Sequence, residues 1–271
     1  MLGTPEVFAR HYYASGADEL FYQDAVASLY GRNNLLDIVE RTSREIFIPL
    51  CVGGGLRSVD DVQAVLRAGA DKVAINTAVI ERPSLIEEVS KRFGSSTLVI
   101  SVEAQRNGPG KYEALVNYGR DTTGIDAIEW AVEAAERGAG EVLLTSVAND
   151  GTGLGMDLEL SRALKDRVNI PVILGGGCSQ PSDVADAVEN GNADAVSLAS
   201  ILHYGLLSDM RAEHGDEHFK DEGNVKFLKG GGAFSKIRAS SLADVRVELE
   251  RRSIPCRKVF GSEKRAGTHE R

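Results

Sequence analysis

Cysteine is scarce. Three are present, Cys51, Cys178 and Cys256, far apart and without a CxxC pair, which excludes a disulfide framework and gives no zinc-ligand spacing. All three read as buried thiols. Long apolar runs are missing too. No stretch approaches the roughly 20 residues a membrane helix needs, and the N-terminal segment, which includes GADEL from Gly16, lacks the apolar core of a signal peptide. The expected location is the cytoplasm. Nor is positive charge in excess: a net charge of −9 excludes nonspecific attachment to nucleic acid or an anionic membrane, so any basic groups that matter are local.

What is present is a repeat. IPLCVGGGLRS from Ile48 returns as IPVILGGGCSQ from Ile170. At one constant offset Ile48 and Pro49 fall on Ile170 and Pro171, Asp61 and Val62 on Asp183 and Val184, and Gly69 on Gly191. GADELFYQD from Gly16 lies over GAGEVLLTS from Gly138, and GADKVAINTAVI over NADAVSLASIL with one residue inserted. Each half alternates short β-rich runs (ELFYQD, IFIPLCV, KVAIN; EVLLTS, IPVIL, AVSLA) with stretches such as VDDVQAVLRAG and PSDVADAVENG, whose apolar positions recur at helical spacing. That alternation implies parallel strands with crossover helices. A duplicated α/β chain whose halves join edge to edge predicts a closed (β/α)8 barrel, and one barrel of roughly 250 residues uses nearly all of this chain. A single domain over 1–271 is expected.

In such barrels chemistry sits at the C-terminal ends of the strands. Both triglycine segments fall there, where glycine lets main-chain N–H groups approach and ring an anion. Asn76–Thr77 and their counterparts Ala199–Ser200 end the next strand of each half and open a helix, whose dipole favours phosphate. A lone triglycine reads as a tight turn. Two at equivalent places suit an elongated substrate with a phosphate at each end.

The motifs GADELFYQDAVAS, PLCVGGGLRS, GADKVAINTAV, GRDTTGIDAIEWA, GAGEVLLTS, DGTGLGMDLEL and LASILHYG resemble the cyclase subunit of imidazole glycerol phosphate synthase, including its paralogous branch associated with surface-polysaccharide assembly. The resemblance implies a (β/α)8 barrel that takes ammonia from a glutaminase partner. With an aminoimidazole carboxamide ribonucleotide bearing two phosphates it forms imidazole glycerol phosphate, a lyase step of histidine biosynthesis that uses no cofactor or metal. It also implies that Gly54, Gly55, Asn76 and Thr77 hold one phosphate, and Gly151, Gly176, Gly177, Ala199 and Ser200 the other. Glu19, Lys72 and Glu141, each at the start of a strand, match charges that gate ammonia at the opposite mouth; solubility or a structural ion pair is the alternative.

The departures from that family are specific. Family members begin with a strand resembling IIPCLDV, whose aspartate is one of two principal acid/base groups. Here MLGTPEVFARHYYASG reads as the first helix, so that strand is expected to be absent. The second aspartate, at the end of the fifth strand, is replaced by Glu103, and a third acid by Ala148. Glu103 is the candidate acid/base, with Asp24 and Asp150 as proton shuttles or loop hydrogen-bonding groups. His203 reads as structural. RRSIPCRKVF could fill the slot of the missing strand or match the family's ordinary chain end. Residues 206–240 form a charged insertion whose His214, Glu217 and His218 give only a weak metal spacing, and 261–271 read as a disordered tail. Besides the cyclase, the sequence leaves open an ammonia-channelling paralogue serving nucleotide-sugar amidation and a catalytically silent scaffold subunit.

Overall fold

The computed structural model describes residues 4–24, 34–206 and 236–257. Its strands are β1 (Leu20–Gln23), β2 (Leu50–Gly53), β3 (Lys72–Ile75), β4 (Leu98–Gly108), β5 (Lys111–Val116), β6 (Asp121–Asp126), β7 (Glu141–Ser146), β8 (Val172–Gly175) and β9 (Ala195–Ser197). The helices are α1 (Pro5–Ala14), α2 (Asn34–Ser43), α3 (Val59–Arg67), α4 (Thr77–Glu81), α5 (Ser84–Phe93), α6 (Ala127–Glu136), α7 (Leu158–Lys165), α8 (Pro181–Glu189) and α9 (Leu242–Arg251). The path β1-β2-β3-β4-β7-β8-β9 is parallel throughout, with helices in the crossovers. This is the curled sheet of a (β/α)8-type barrel.

The repeat is physical as well as textual. In α3 the Ser58 side chain accepts from the Asp61 N–H, while Asp61 Oδ2 accepts from the Arg57 N–H and the Ser58 hydroxyl. In α8 the equivalent Asp183 Oδ2 accepts from the N–H and hydroxyl of Ser179, both at 2.7 Å. In both halves an aspartate in the first helical turn thus accepts from the main chain just ahead of it, after each triglycine loop. Val62 and Val65 in α3, and Val184, Ala185 and Ala187 in α8, are buried.

Strand parity separates two faces. Val52, Val73, Ile100, Val102, Leu144 and Leu174 are buried beneath the helices. On the other face Cys51, Ala74, Val99 and Leu143 pack with Phe21 and Ile173 into a cluster of their own, the barrel interior.

The edges agree with an absent first strand: among the described residues β1 and β9 end the path, and both line a cavity of about 1100 Å³ together with Tyr12, Leu242, Val245 and Leu249. Accordingly β2 is buried at every position, whereas β1 and β9 are half-open. Residues 254–257 do not fill this slot with a strand. They run along its wall, where Arg257 donates to the Ala17 carbonyl at 2.7 Å and pairs with Asp18 at 2.9 Å. A guanidinium satisfied by loop carbonyls ahead of β1 holds this segment outside the ladder. Residues 258–260, most of the 206–240 insertion with His214, Glu217 and His218, and the 261–271 tail lie outside the described residues.

One expectation changes at β4. Glu103 does not end its strand, because β4 continues to Gly108 and turns back through the antiparallel β5 and β6. The hairpin is tied down where Arg106 Nη2 meets the Tyr112 hydroxyl and Asp157 Oδ1, the latter at 2.9 Å. Asp157 is buried and also caps α7 by accepting from the Leu160 N–H.

Candidate functional site

The interior face can be followed from one mouth to the other. At the N-terminal mouth Lys72 Nζ lies 2.7 Å from both Glu19 Oε2 and Glu141 Oε1, at side-chain exposures of 18%, 29% and 17% respectively. Burial raises the Glu19 carboxyl above its ordinary value despite Lys72. Burial also pushes the Lys72 ammonium down, but its two carboxylate partners outweigh that and hold it above the ordinary lysine value. All three predicted gate residues therefore form one ion-paired cluster. Above it on β4, Val99, Ser101 and Glu103 face inward in turn.

Glu103 sits where two cavities meet. A smaller one of about 340 Å³ is lined by Gly54, Gly55, Asn76, Thr77, Ser101, Glu103 and Tyr118. The larger one is lined by Ser101, Glu103, Tyr118, Asp150, Gly151, Gly176, Gly177, Ala199 and Ser200. The two sets of residues expected to hold phosphate thus open on either side of one carboxylate.

Both triglycine loops require glycine. Gly54 has φ +105° and a Cβ there would stand 2.3 Å from the Asp24 carbonyl oxygen; Gly177 has φ +91° and its Cβ would stand 2.2 Å from that of Gly155. The close approach explains why these turns are glycine, as a tight-turn reading anticipates. It does not use up their donors. Among the described residues the N–H groups of Gly54, Gly55, Gly176 and Gly177 donate to no other group. Asn76 precedes α4, which is only five residues long, so little dipole backs this cradle. Ser200 opens a helical run over 200–206.

Glu103 Oε2 accepts from Asn76 Nδ2 at 3.0 Å and from the Gly119 N–H at 2.8 Å. Burial raises its carboxyl above the ordinary value; these two bonds pull it down, and the charge of Asp150 pushes it up. Asp150 is exposed and faces the larger cavity. Asp24 lines neither cavity, and its carbonyl accepts from the Tyr118 hydroxyl.

The β5–β6 turn was not foreseen as part of the site. Tyr118 and Gly119 reach Asp24 and Glu103, and the Asn117 N–H donates to Thr77 Oγ1 at 3.1 Å. The turn-forming NYG after EALV was the available signal.

His203 is structural: burial lowers its pKa, its Nδ1 contacts the Tyr12 hydroxyl, and Phe8 packs edge-on against its ring. Cys51 and Cys178 are buried as expected, and burial pushes the Cys178 thiol up to about 12. Cys256 is only half-buried, because it lies on the wall of the open slot. Among the described residues no group of His, Cys, Asp and Glu could hold a metal, and no helix is long and apolar enough to cross a membrane.

The chain is similar to known proteins over most of this architecture. A sequence model of the family described as "Histidine biosynthesis protein" matches residues 1–208. The imidazole glycerol phosphate synthase subunit HisF of Dehalococcoides mccartyi is 47% identical over 206 residues, covering 76% of this chain and 81% of that protein. The HisF subunit of Streptomyces griseus is 51% identical over 205 residues, with coverage of 76% and 81%. That of Legionella pneumophila is 52% identical over 177 residues, covering 65% of this chain and 84% of its own. With a barrel-type parallel sheet and glycine turns repeated in each half, this chain belongs to the histidine biosynthesis protein family, among the HisF subunits of imidazole glycerol phosphate synthase.

Proposed function

We propose that this chain acts as an ammonia-dependent cyclase of the imidazole glycerol phosphate synthase type, in the cytoplasm and as one barrel domain. The observation that carries this reading is the meeting of two glycine-turn cavities at Glu103. A ribonucleotide with a phosphate at each end spans them. Gly54, Gly55, Asn76 and Thr77 take one phosphate; Gly151, Gly176, Gly177, Ala199 and Ser200 take the other. The carbonyl to which ammonia adds then lies over Glu103.

Adding ammonia to a carbonyl, releasing the aminoimidazole fragment and closing the new ring all require proton transfers. A carboxyl whose pKa is raised by burial is suited to exchange protons near neutral pH. Glu103 carries that role, and Asp150, on the solvent side of the larger cavity, relays protons to water. Ammonia reaches the site along the interior face from the Glu19–Lys72–Glu141 cluster, on whose mouth a glutaminase subunit docks.

A second reading, an ammonia-channelling paralogue, draws support from one feature. Glu19, Lys72 and Glu141 remain ion-paired at the mouth, whereas one family acid is Ala148 and another is the longer Glu103. An assay of the purified chain with ammonia and the bisphosphorylated ribonucleotide, beside Glu103→Gln, tests the cyclase. Turnover lost in the variant supports it, and no turnover by the parent chain discards it in favour of channelling.

A further inference from the structure

The turn between β5 and β6 holds an unusual backbone. Asn117, Tyr118 and Gly119 have φ of 53°, 62° and 68°, so two consecutive non-glycine residues are left-handed. The left-handed region is unfavourable for a residue with a Cβ, more so for Tyr118 than for Asn117, whose short polar side chain tolerates it. That conformation persists when its surroundings enforce it, and it concentrates at functional sites. The enforcing contacts are three, on or just after three different strands: Asn117 N–H on Thr77 after β3, Tyr118 hydroxyl on the Asp24 carbonyl after β1, and Gly119 N–H on Glu103 within β4.

The third contact bears on chemistry. Glu103 has one more rotatable bond than an aspartate, so its carboxylate needs more to hold it. Both hydrogen bonds it receives end on Oε2, from Gly119 and from Asn76. Among the described residues Oε1 receives none. One oxygen is an anchor and the other is left for substrate. Asn76 Nδ2 is shared with the Leu115 carbonyl at 3.1 Å, so this second donor is itself held by the hairpin. The titratable groups around Glu103 are Asp150 across the larger cavity, Tyr118 on the turn, and Arg57 and Glu81 in the smaller cavity. None of them replaces the Gly119 donor.

We infer that Tyr118 and Gly119 are positioning residues: the Tyr118 hydroxyl, locked on the Asp24 carbonyl, holds the Gly119 N–H against Glu103 Oε2 and so presents Oε1 to the substrate. This rests on the reading of Glu103 as the acid/base group, and the test separates the two. In the full chain carrying carbon-13 carboxyl labels in glutamate, the Glu103 signal is assigned by its loss in Glu103→Gln and followed through a pH titration. Tyr118→Phe frees the turn, so the carboxylate loses a donor and its apparent pKa moves up by about half a unit, a threefold change in proton affinity. Thr77→Val releases the turn from another anchor and moves the titration the same way. An unmoved titration in both folded variants overturns the inference.

Activity gives the second readout. Glu103→Asp is too short to reach Gly119, so adding Tyr118→Phe to it leaves kcat unchanged, whereas Tyr118→Phe alone lowers kcat about tenfold with little change in KM. Additive losses would contradict positioning through Glu103. A shifted titration in a chain without cyclase turnover would instead sink the proposed function and leave the positioning role standing.

Discussion

Glu141 and Glu103 stand on the same interior face of adjacent strands: Glu141 is in register with Val99, and Glu103 lies two inward positions above it on β4. At about 3.3 Å per residue the Glu19–Lys72–Glu141 cluster and the Glu103 carboxylate are roughly 13 Å apart along the sheet. Between the two levels lie the buried Leu143 and Ser101, which are in register with each other.

Lys72→Met should destabilise the protein. It leaves Glu19 and Glu141 facing each other without their cation, and because the cluster is partly exposed the expected loss is about 1–2 kcal/mol at neutral pH. The sign with pH follows. In the parent, the raised pKa of Lys72 gives a contribution fully present below the unfolded value near 10.4 and lost as pH rises through the folded one. In the variant the Glu19 carboxyl rises further, so its penalty fades on acidification and Tm differs less from the parent at acid than at neutral pH. Thermal unfolding across pH checks this; a Tm difference that grows on acidification would contradict it.

Glu103→Gln should stabilise the fold while abolishing proton transfer. A carboxyl whose folded pKa is raised is a cost above that pKa, a cost that declines as pH falls through it toward the unfolded value. The variant should melt about 1–3 °C higher at pH 7, with the difference shrinking toward acid pH. A lower Tm at pH 7 would mean that the carboxylate is a structural anchor.

The glycines divide by what a side chain would meet. Gly177→Ala places Cβ 2.2 Å from the Gly155 carbonyl at φ +91°, whereas Gly151→Ala meets nothing within 4 Å at φ +70°. The first should cost about 2–4 kcal/mol in denaturant unfolding and the second about 1. Equal costs would show that the second cradle yields more than its backbone contacts imply.

The fold was legible where the chain repeats itself. Ile48–Pro49 and Ile170–Pro171, with Asp61 and Asp183 capping the same helix twice, encode strand, turn and helix within a dozen residues. The β4–β6 hairpin was not legible. β6 reads DTTGID and is exposed or half-exposed throughout, so it lacks the apolar alternation that marks a strand. Its role in the site depends on Tyr118 meeting Asp24, a contact between residues remote in sequence. Such contacts leave no local pattern. Asp24 reads from the sequence as a proton shuttle or a loop hydrogen-bonding group, and its carbonyl is the partner of the Tyr118 hydroxyl.

The most direct test of the account is calorimetric titration of the bisphosphorylated ribonucleotide into the parent chain, Gly54→Val, Gly176→Val and the double variant. The account predicts one ligand per chain, with each single variant weakening binding about tenfold or more through loss of one phosphate contact. Two independent ligands per chain, or affinity untouched by either substitution, would contradict a site that grips one molecule at both ends.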